Sequence, residues 1–205
     1  LSGGVSVQAV GQTSQITVQE DATAELAEDE KLVCTVDGDT LRIRFMSDAN
    51  RDGFEGEKFL TVSLPWELVK NAHFEEIDIE TTSAYAYVSA DAQKIELSTV
   101  SGDARVMGAS SPAVEIETVS GNVGVVDGTW GKVELSTVSG AIELAGDADS
   151  AGIETTSGKT DIAGALGALE FASVSGNLIL SSGRALRLDA KTTSGGIDLT
   201  LPESD

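Results

Sequence analysis

Thr99-Val100-Ser101-Gly102 decides the fold of this chain, because near copies of it return at almost even spacing through the C-terminal two-thirds. The copies are Thr118-Val119-Ser120-Gly121, Thr137-Val138-Ser139-Gly140, Thr155-Thr156-Ser157-Gly158, Ser173-Val174-Ser175-Gly176 and Thr192-Thr193-Ser194-Gly195. A degenerate Thr81-Thr82-Ser83-Ala84 precedes them. From serine to serine the steps are 18, 19, 19, 18, 18 and 19 residues. A period this short and steady marks a solenoid in which each coil leans on its neighbours.

Aligning the coils on the serine turns the sequence into columns. Six residues before it stand Ile77, Ile95, Val114, Val133, Ala151, Leu169 and Leu188, and four before it Ile79, Leu97, Ile116, Leu135, Ile153, Phe171 and Ala190. Strand alternation places both columns inward, with the hydroxyl column Thr81, Thr99, Thr118, Thr137, Thr155, Ser173 and Thr192 on the same face. After the corner, Val123, Ile142, Leu178 and Ile197 lead to Val88, Val106, Val125, Leu144, Ile162, Leu180 and Leu199, five past the serine, as a second wall. Each coil thus reads as strand, Ser-Gly corner, strand and return segment. The one-residue variation falls in the return segments, because a slip inside a wall would turn its core residues outward. The expected fold is all-β: a parallel β-helix of about seven coils with an N-terminal β cap, right-handed by the general rule for parallel crossovers.

The corner glycine suits a positive φ at the bend. The small hydroxyls beside it are placed to bond backbone groups that the turn leaves unpaired. They are not nucleophiles: a serine needs a base, and the only histidine, His73, lies before the repeat.

Residues 1–64 carry strand signals without the repeat, residues 65–76 read as a connecting corner, and 77–201 as the solenoid, the whole forming one continuous domain. Val5 to Val10 and Gln15 to Val18 alternate with period two. Leu32 to Phe45 reads as a hairpin around Asp37-Gly38, with Leu41, Ile43 and Phe45 on one face and Arg42 and Arg44 on the other. Ser47 to Gly53 is a polar loop, Pro65 ends the strand Phe59–Leu64, and Trp66 to Phe74 is the one modest helical candidate. Cys34, in step with Leu32 and Val36, reads as a small buried hydrophobe; being the only cysteine, it has no internal disulfide partner.

Thirty-four acids against thirteen Lys and Arg give a net charge of -21, which repels nucleic-acid phosphates and anionic lipid headgroups. Nucleic acid is therefore not an expected partner. No apolar run approaches a membrane span, so no membrane insertion is expected within this chain. It begins at Leu1, which leaves room for a targeting or anchoring segment upstream.

The outward columns are where function can reside. Five before the serine stand Asp78, Glu96, Glu115, Glu134, Gly152, Glu170 and Asp189, partly offset by Lys94, Lys132 and Arg187 two positions earlier. The stripe reads as a solvated acidic face. Such a row also attracts Ca²⁺, although it lacks a converging loop to build a cage. Just before the serine, Thr82, Val100, Val119, Val138, Thr156, Val174 and Thr193 form a β-branched outward stripe, either plain sheet surface or a docking face. Tyr85 and Tyr87 point outward from the first coil, either to pack on the N-terminal cap or to stack on a sugar.

The spaced Thr-Val-Ser-Gly motif, the Leu41-Ile43-Phe45 strand after Asp37-Gly38 and the Leu64-Pro65 stop together resemble the bacterial DUF4097 family, described as adhesins, over about residues 14 to 200. Ala84 departs from its pattern. The resemblance implies a β-solenoid attached to or exposed on the bacterial cell envelope, often encoded beside envelope-stress components. It supplies no catalytic residues to carry over.

Three functions follow as expectations. The first is a non-catalytic surface or envelope module whose long β faces bind a protein or glycan. The second is a structural or regulatory envelope-stress accessory that assembles end to end through the open strand edge near Leu201. The third, a polysaccharide-active enzyme, needs clustered carboxylates with a base or metal on one wall, and the monotonous acid stripe offers none. No catalytic, cofactor or metal residue is therefore assigned, no cofactor is expected, and the ligand-binding residues stay unassigned.

Overall fold

The structure, a computed structural model, describes residues 2–11, 14–44, 56–72, 74–184 and 187–202. Phe45, the loop from Ser47 to Gly53, His73, and the terminal Glu203 to Asp205 lie outside the described residues. The chain is nearly all β and forms a parallel β-solenoid of about 7 turns.

Before the repeats come β1 (Ser2–Val10), β2 (Thr17–Ala22), β3 (Val33–Asp37), β4 (Thr40–Arg44), β5 (Glu57–Pro65) and the short helix α1 (Trp66–Ala72). The coils supply β6 (Phe74–Thr81), β7 (Ser83–Ser89), β8 (Ala92–Thr99), β9 (Ala104–Met107), β10 (Ser110–Thr118), β11 (Val123–Ser139) and β12 (Ile142–Ser157). They end with β13 (Lys159–Gly164), β14 (Leu166–Ser173), β15 (Asn177–Ser182), β16 (Arg187–Thr192) and β17 (Ile197–Thr200).

The strands before the corner stack as β6, β8, β10, the second halves of β11 and β12, β14 and β16. Those after it stack as β7, β9, the first halves of β11 and β12, β13, β15 and β17. Pairing follows the serine alignment residue for residue: Ile95 faces Val114, Val114 faces Val133, and Ala151 faces Leu169. Magnitudes explain why this register holds. Burying a Val, Leu or Ile contributes about 1.5–3 kcal/mol, whereas two outward carboxylates about 4.8 Å apart repel by only about 0.9 kcal/mol in water. The inner columns therefore overrule the outer ones.

At the corner each repeated position has a separate task. The Gly102 N–H donates to Thr99 Oγ1 at 3.0 Å, and the Gly121 N–H to Thr118 Oγ1 at 3.1 Å. The serine links coils: Ser120 donates both its N–H (3.0 Å) and its Oγ–H (3.3 Å) to the Val100 carbonyl of the preceding coil. The expected positive φ is found only at Gly158 among the six corner glycines. The others are glycine for want of space, since a Cβ on Gly102, Gly121, Gly140 or Gly195 would stand within 2.0 Å of the carbonyl oxygen one coil below. Two residues past the serine a second ladder runs, in which Asp103 Oδ1 accepts the Asn122 N–H (2.8 Å) and Asn122 Oδ1 accepts that of Ala141 (3.0 Å).

The return side is more ordered than its small and turn-forming residues suggest. In β11 and β12 the strand continues through it, past a bulge at Asp127 with φ 58°. Trp130, which the sequence places in a variable edge, is instead buried in the core. Its ring occupies the space left by Gly128 and Gly146, where a Cβ would come within 2.5 and 2.6 Å of indole carbons.

Strand β1 joins the irregular N-terminal segment to the repeats, pairing parallel with β5 on one side and β7 on the other. Val5 and Val7 thereby continue the inner column of Ala86 and Val88. Beyond β5, antiparallel β2 closes the wall. The strand β5 includes Pro65 as its last residue and α1 follows at once, on the segment read as a helical candidate. Between β2 and β5 lies a lock that the sequence did not reveal: Lys58, 1% exposed, pairs with Glu20 at 2.5 Å and donates to the Glu30 carbonyl at 2.5 Å. Glu20 also accepts the Leu32 N–H (3.0 Å).

The hairpin of β3 and β4 forms around Gly38-Asp39, one residue beyond the expected Asp37-Gly38 centre. Its two strands make a separate sheet; Ile43 of β4 and Leu32, just before β3, pack against the core. Cys34 is consequently exposed, correcting the expectation of burial. Strand alternation alone does not say which sheet a hairpin joins.

Candidate functional site

The outer face of the wall before the corner carries the expected columns in register. Asp78 lies beside Glu96, Glu96 beside Glu115, and Glu115 beside Glu134; Gly152 interrupts, and Glu170 then meets Asp189. The two flanking columns bring further charge: Glu76, Lys94, Lys132 and Arg187 on one side, Glu80, Glu117, Glu154 and Lys191 on the other.

Lysines knit the stripe together. Lys94 bonds Glu96, lies 3.4 Å from Glu76 and reaches to 3.9 Å from Glu115. Lys132 pairs with Glu134 at 2.7 Å and Lys191 with Asp189 at 2.9 Å. The hydrogen bond to Glu96 holds the Lys94 ammonium above its ordinary pKa. Asp78 sits at the crowded end: partial burial, then the charges of Glu96, Glu76 and Glu80, push its carboxyl above the usual range. These exposed pairs relieve repulsion and add little stability of their own. Among the described residues no group of three or more His, Cys, Asp or Glu is arranged to hold a metal ion.

Along the corner the β-branched stripe stands proud. Val100, Val119 and Val138 on three successive coils, and Val174 two coils further on past Thr156, are each 48–53% exposed. Their backbones are fixed by the serine bonds of the next coil, so the apolar row is rigid and about one strand spacing, ~4.8 Å, per step. The acidic columns run parallel to it on the same wall.

Tyr85 faces outward as expected and packs on the N-terminal strands. A Cβ on Gly4 would lie 2.1 Å from its ring, and the Phe59 ring centroid is 6.4 Å away. Phe59, Gly4 and Tyr85 are neighbours across three parallel strands, and the glycine makes the gap over which the two rings meet. That engagement favours the packing reading over the sugar platform for Tyr85.

A groove of about 480 Å³ follows the return side, bounded by Val69 of α1, Gln93, Pro112, Thr129, Trp130 and Asp149. Trp130 is too buried to offer a stacking face. Asp91 at the groove is occupied by the Ser110 N–H at 2.7 Å. No helix among the described residues is long and apolar enough to cross a membrane.

The fold and its faces define a β-solenoid repeat protein with a capped N-terminal wall and a ridged, acidic outer face. The chain belongs to the Toastrack DUF4097 family, whose model matches residues 4–205. No curated protein and no solved structure matches it.

Proposed function

We propose that this chain is a non-catalytic interaction module, an adhesin-like protein of the bacterial cell surface or envelope that binds a protein or glycan on the outer face before the corner. One observation carries the reading: a rigid row of half-exposed valines, Val100, Val119 and Val138, one strand spacing apart beside the carboxylate ladder of Glu96, Glu115 and Glu134. Isolated exposed apolar residues are ordinary, but a contiguous row is a surface suited to docking. The envelope location rests on the family likeness of the coils.

The test uses the purified chain and a Val119→Glu, Val138→Glu variant, whose outward side chains leave the core alone. Binding to purified cell-wall glycan or to isolated envelope proteins, measured by biolayer interferometry and lost in the variant, supports the reading. Absence of binding by the unaltered chain to both classes sinks it. Fractionation of the source cells with an antibody to the chain tests the location, and recovery in the cytosol alone would overturn that part.

A further inference from the structure

The groove on the return side is chemically unlike the outer face before the corner. At about 480 Å³ it has the volume of a small-molecule site. Val69, Ala92 and Pro112 give it apolar walls, and none of the residues that line it is basic. Its backbone is committed to the coil stack, with Ser110 paired to Thr129 and Thr129 to Asp147, so an extended peptide finds no free strand edge there. What the groove offers a ligand is side-chain oxygen. Asp91 and Asp149 stand three coils apart, about 14 Å at ~4.8 Å per strand, and the hydroxyls of Ser110 and Thr129 lie on the coils between them.

The state of those carboxylates selects the ligand. Asp91 Oδ1 accepts the Ser110 N–H at 2.7 Å, which fixes the group while its remaining lone pairs can still accept. Asp149 is exposed and pairs with no cation among the described residues. The guanidinium of Arg184 is taken by the neighbouring Ala148 carbonyl at 3.1 Å. An anion is repelled by these acids and by the net charge of -21, which draws cations toward the chain instead. A neutral sugar would use the hydroxyls and leave both carboxylates as they are in water. A ligand with ammonium groups at its two ends and methylenes between them matches the acids and the apolar walls together.

We propose that this groove binds a linear polyamine. Its terminal ammoniums pair with Asp91 and Asp149, its methylenes lie along Ala92 and Pro112, and an inner ammonium donates to the Ser110 and Thr129 hydroxyls. Trp66, 50% exposed, precedes Val69 by one turn on the same side of α1, so its indole borders the groove and adds a face for an ammonium. This site is separate from the valine row and does not depend on it.

Calorimetric titration of the chain with spermine at 0.15 M salt, where the Debye length is about 8 Å, is expected to show one saturable site. Spermine spans both carboxylates when extended and putrescine does not, so putrescine is expected to bind about tenfold more weakly or worse. Asp149→Asn is expected to weaken spermine about fivefold, and Trp66→Ala about two- to fivefold. Glu117→Gln removes the same charge from the outer face before the corner and is expected to leave the affinity unaltered. Absence of saturable binding at millimolar spermine overturns the proposal. Equal weakening by Glu117→Gln and Asp149→Asn does so too, because it would mean diffuse attraction to an acidic surface. Binding of a neutral N-acetylglucosamine hexamer that is lost in Asp149→Asn, with none of spermine, would make the groove a sugar site and overturn it as well.

Discussion

A Cβ on Gly121 would stand 1.8 Å from the carbonyl oxygen of Gly102, the glycine at the same corner one coil earlier. No rotamer relieves that clash, because both atoms belong to the backbone frame. Gly121→Ala is therefore expected to destabilise the protein by about 3 kcal/mol or more, in the overpacking range and beyond. Gly152→Ala is its control: the nearest neighbour of a Cβ there is Glu134 Cγ at 3.9 Å. That change is expected to be neutral or to stabilise by about 0.5 kcal/mol, since glycine weakens a strand. Urea midpoints with an unchanged slope would measure both.

Thr118 isolates the hydroxyl from the shape of its side chain. Valine keeps the volume and β-branching but leaves the buried Gly121 N–H without its acceptor. Thr118→Val is expected to cost about 1–3 kcal/mol, the penalty of an unsatisfied buried donor. Thermal melts that show no loss would mean that the hydroxyl column is packing alone.

Lys58 holds the N-terminal segment through Glu20 and the Glu30 carbonyl. Lys58→Met strands a carboxylate that is only 14% exposed, and removing one partner of a buried pair costs about 3–5 kcal/mol. The low end is expected, because Glu20 keeps the Leu32 N–H. Damage should be local, so limited proteolysis is expected to cut within residues 14–44 while the later coils resist. Uniform digestion of the whole chain would show that the lock governs the entire stack.

Asp78 links the acid stripe to pH. Its folded pKa is raised, so the folded state binds more protons than the unfolded one between the ordinary aspartate pKa, about 3.9, and the raised value. Stability contributed by this group therefore falls as pH rises through that window and is recovered as pH falls. Asp78→Asn is expected to raise Tm at pH 7 and to lose that advantage near pH 4. A Tm difference independent of pH would place the cause elsewhere than in the charge.

The legible part of this protein is the part where one residue type repeats one task. Ile95, Val114 and Val133 declared the inner face, and Glu96, Glu115 and Glu134 the outer one, because the serine alignment sets a register that the pairing then keeps. The corner was legible in its hydroxyls and misjudged in its glycine: sequence spacing says that small residues stack but not which atom excludes a Cβ. Cys34 was misplaced for a related reason, since alternation identifies the faces of β3 but not what covers them. The pairing of Lys58 with Glu20 crosses 38 residues without a motif, and neither residue type announces burial.

By itself the sequence determined the period, the two inner walls, the outward acid and valine columns and the membership of a solenoid class. These depend on local alternation and on a steady coil length, which any reader of the chain can align. The tertiary structure alone decided that β1 is inserted between β5 and β7, that Trp130 fills the space over Gly128 and Gly146, and that antiparallel β2 is laid on β5 to extend the wall after the corner. Those features join segments far apart in the chain, and their outcome depends on which distant surface remains to be covered once the repeats have stacked.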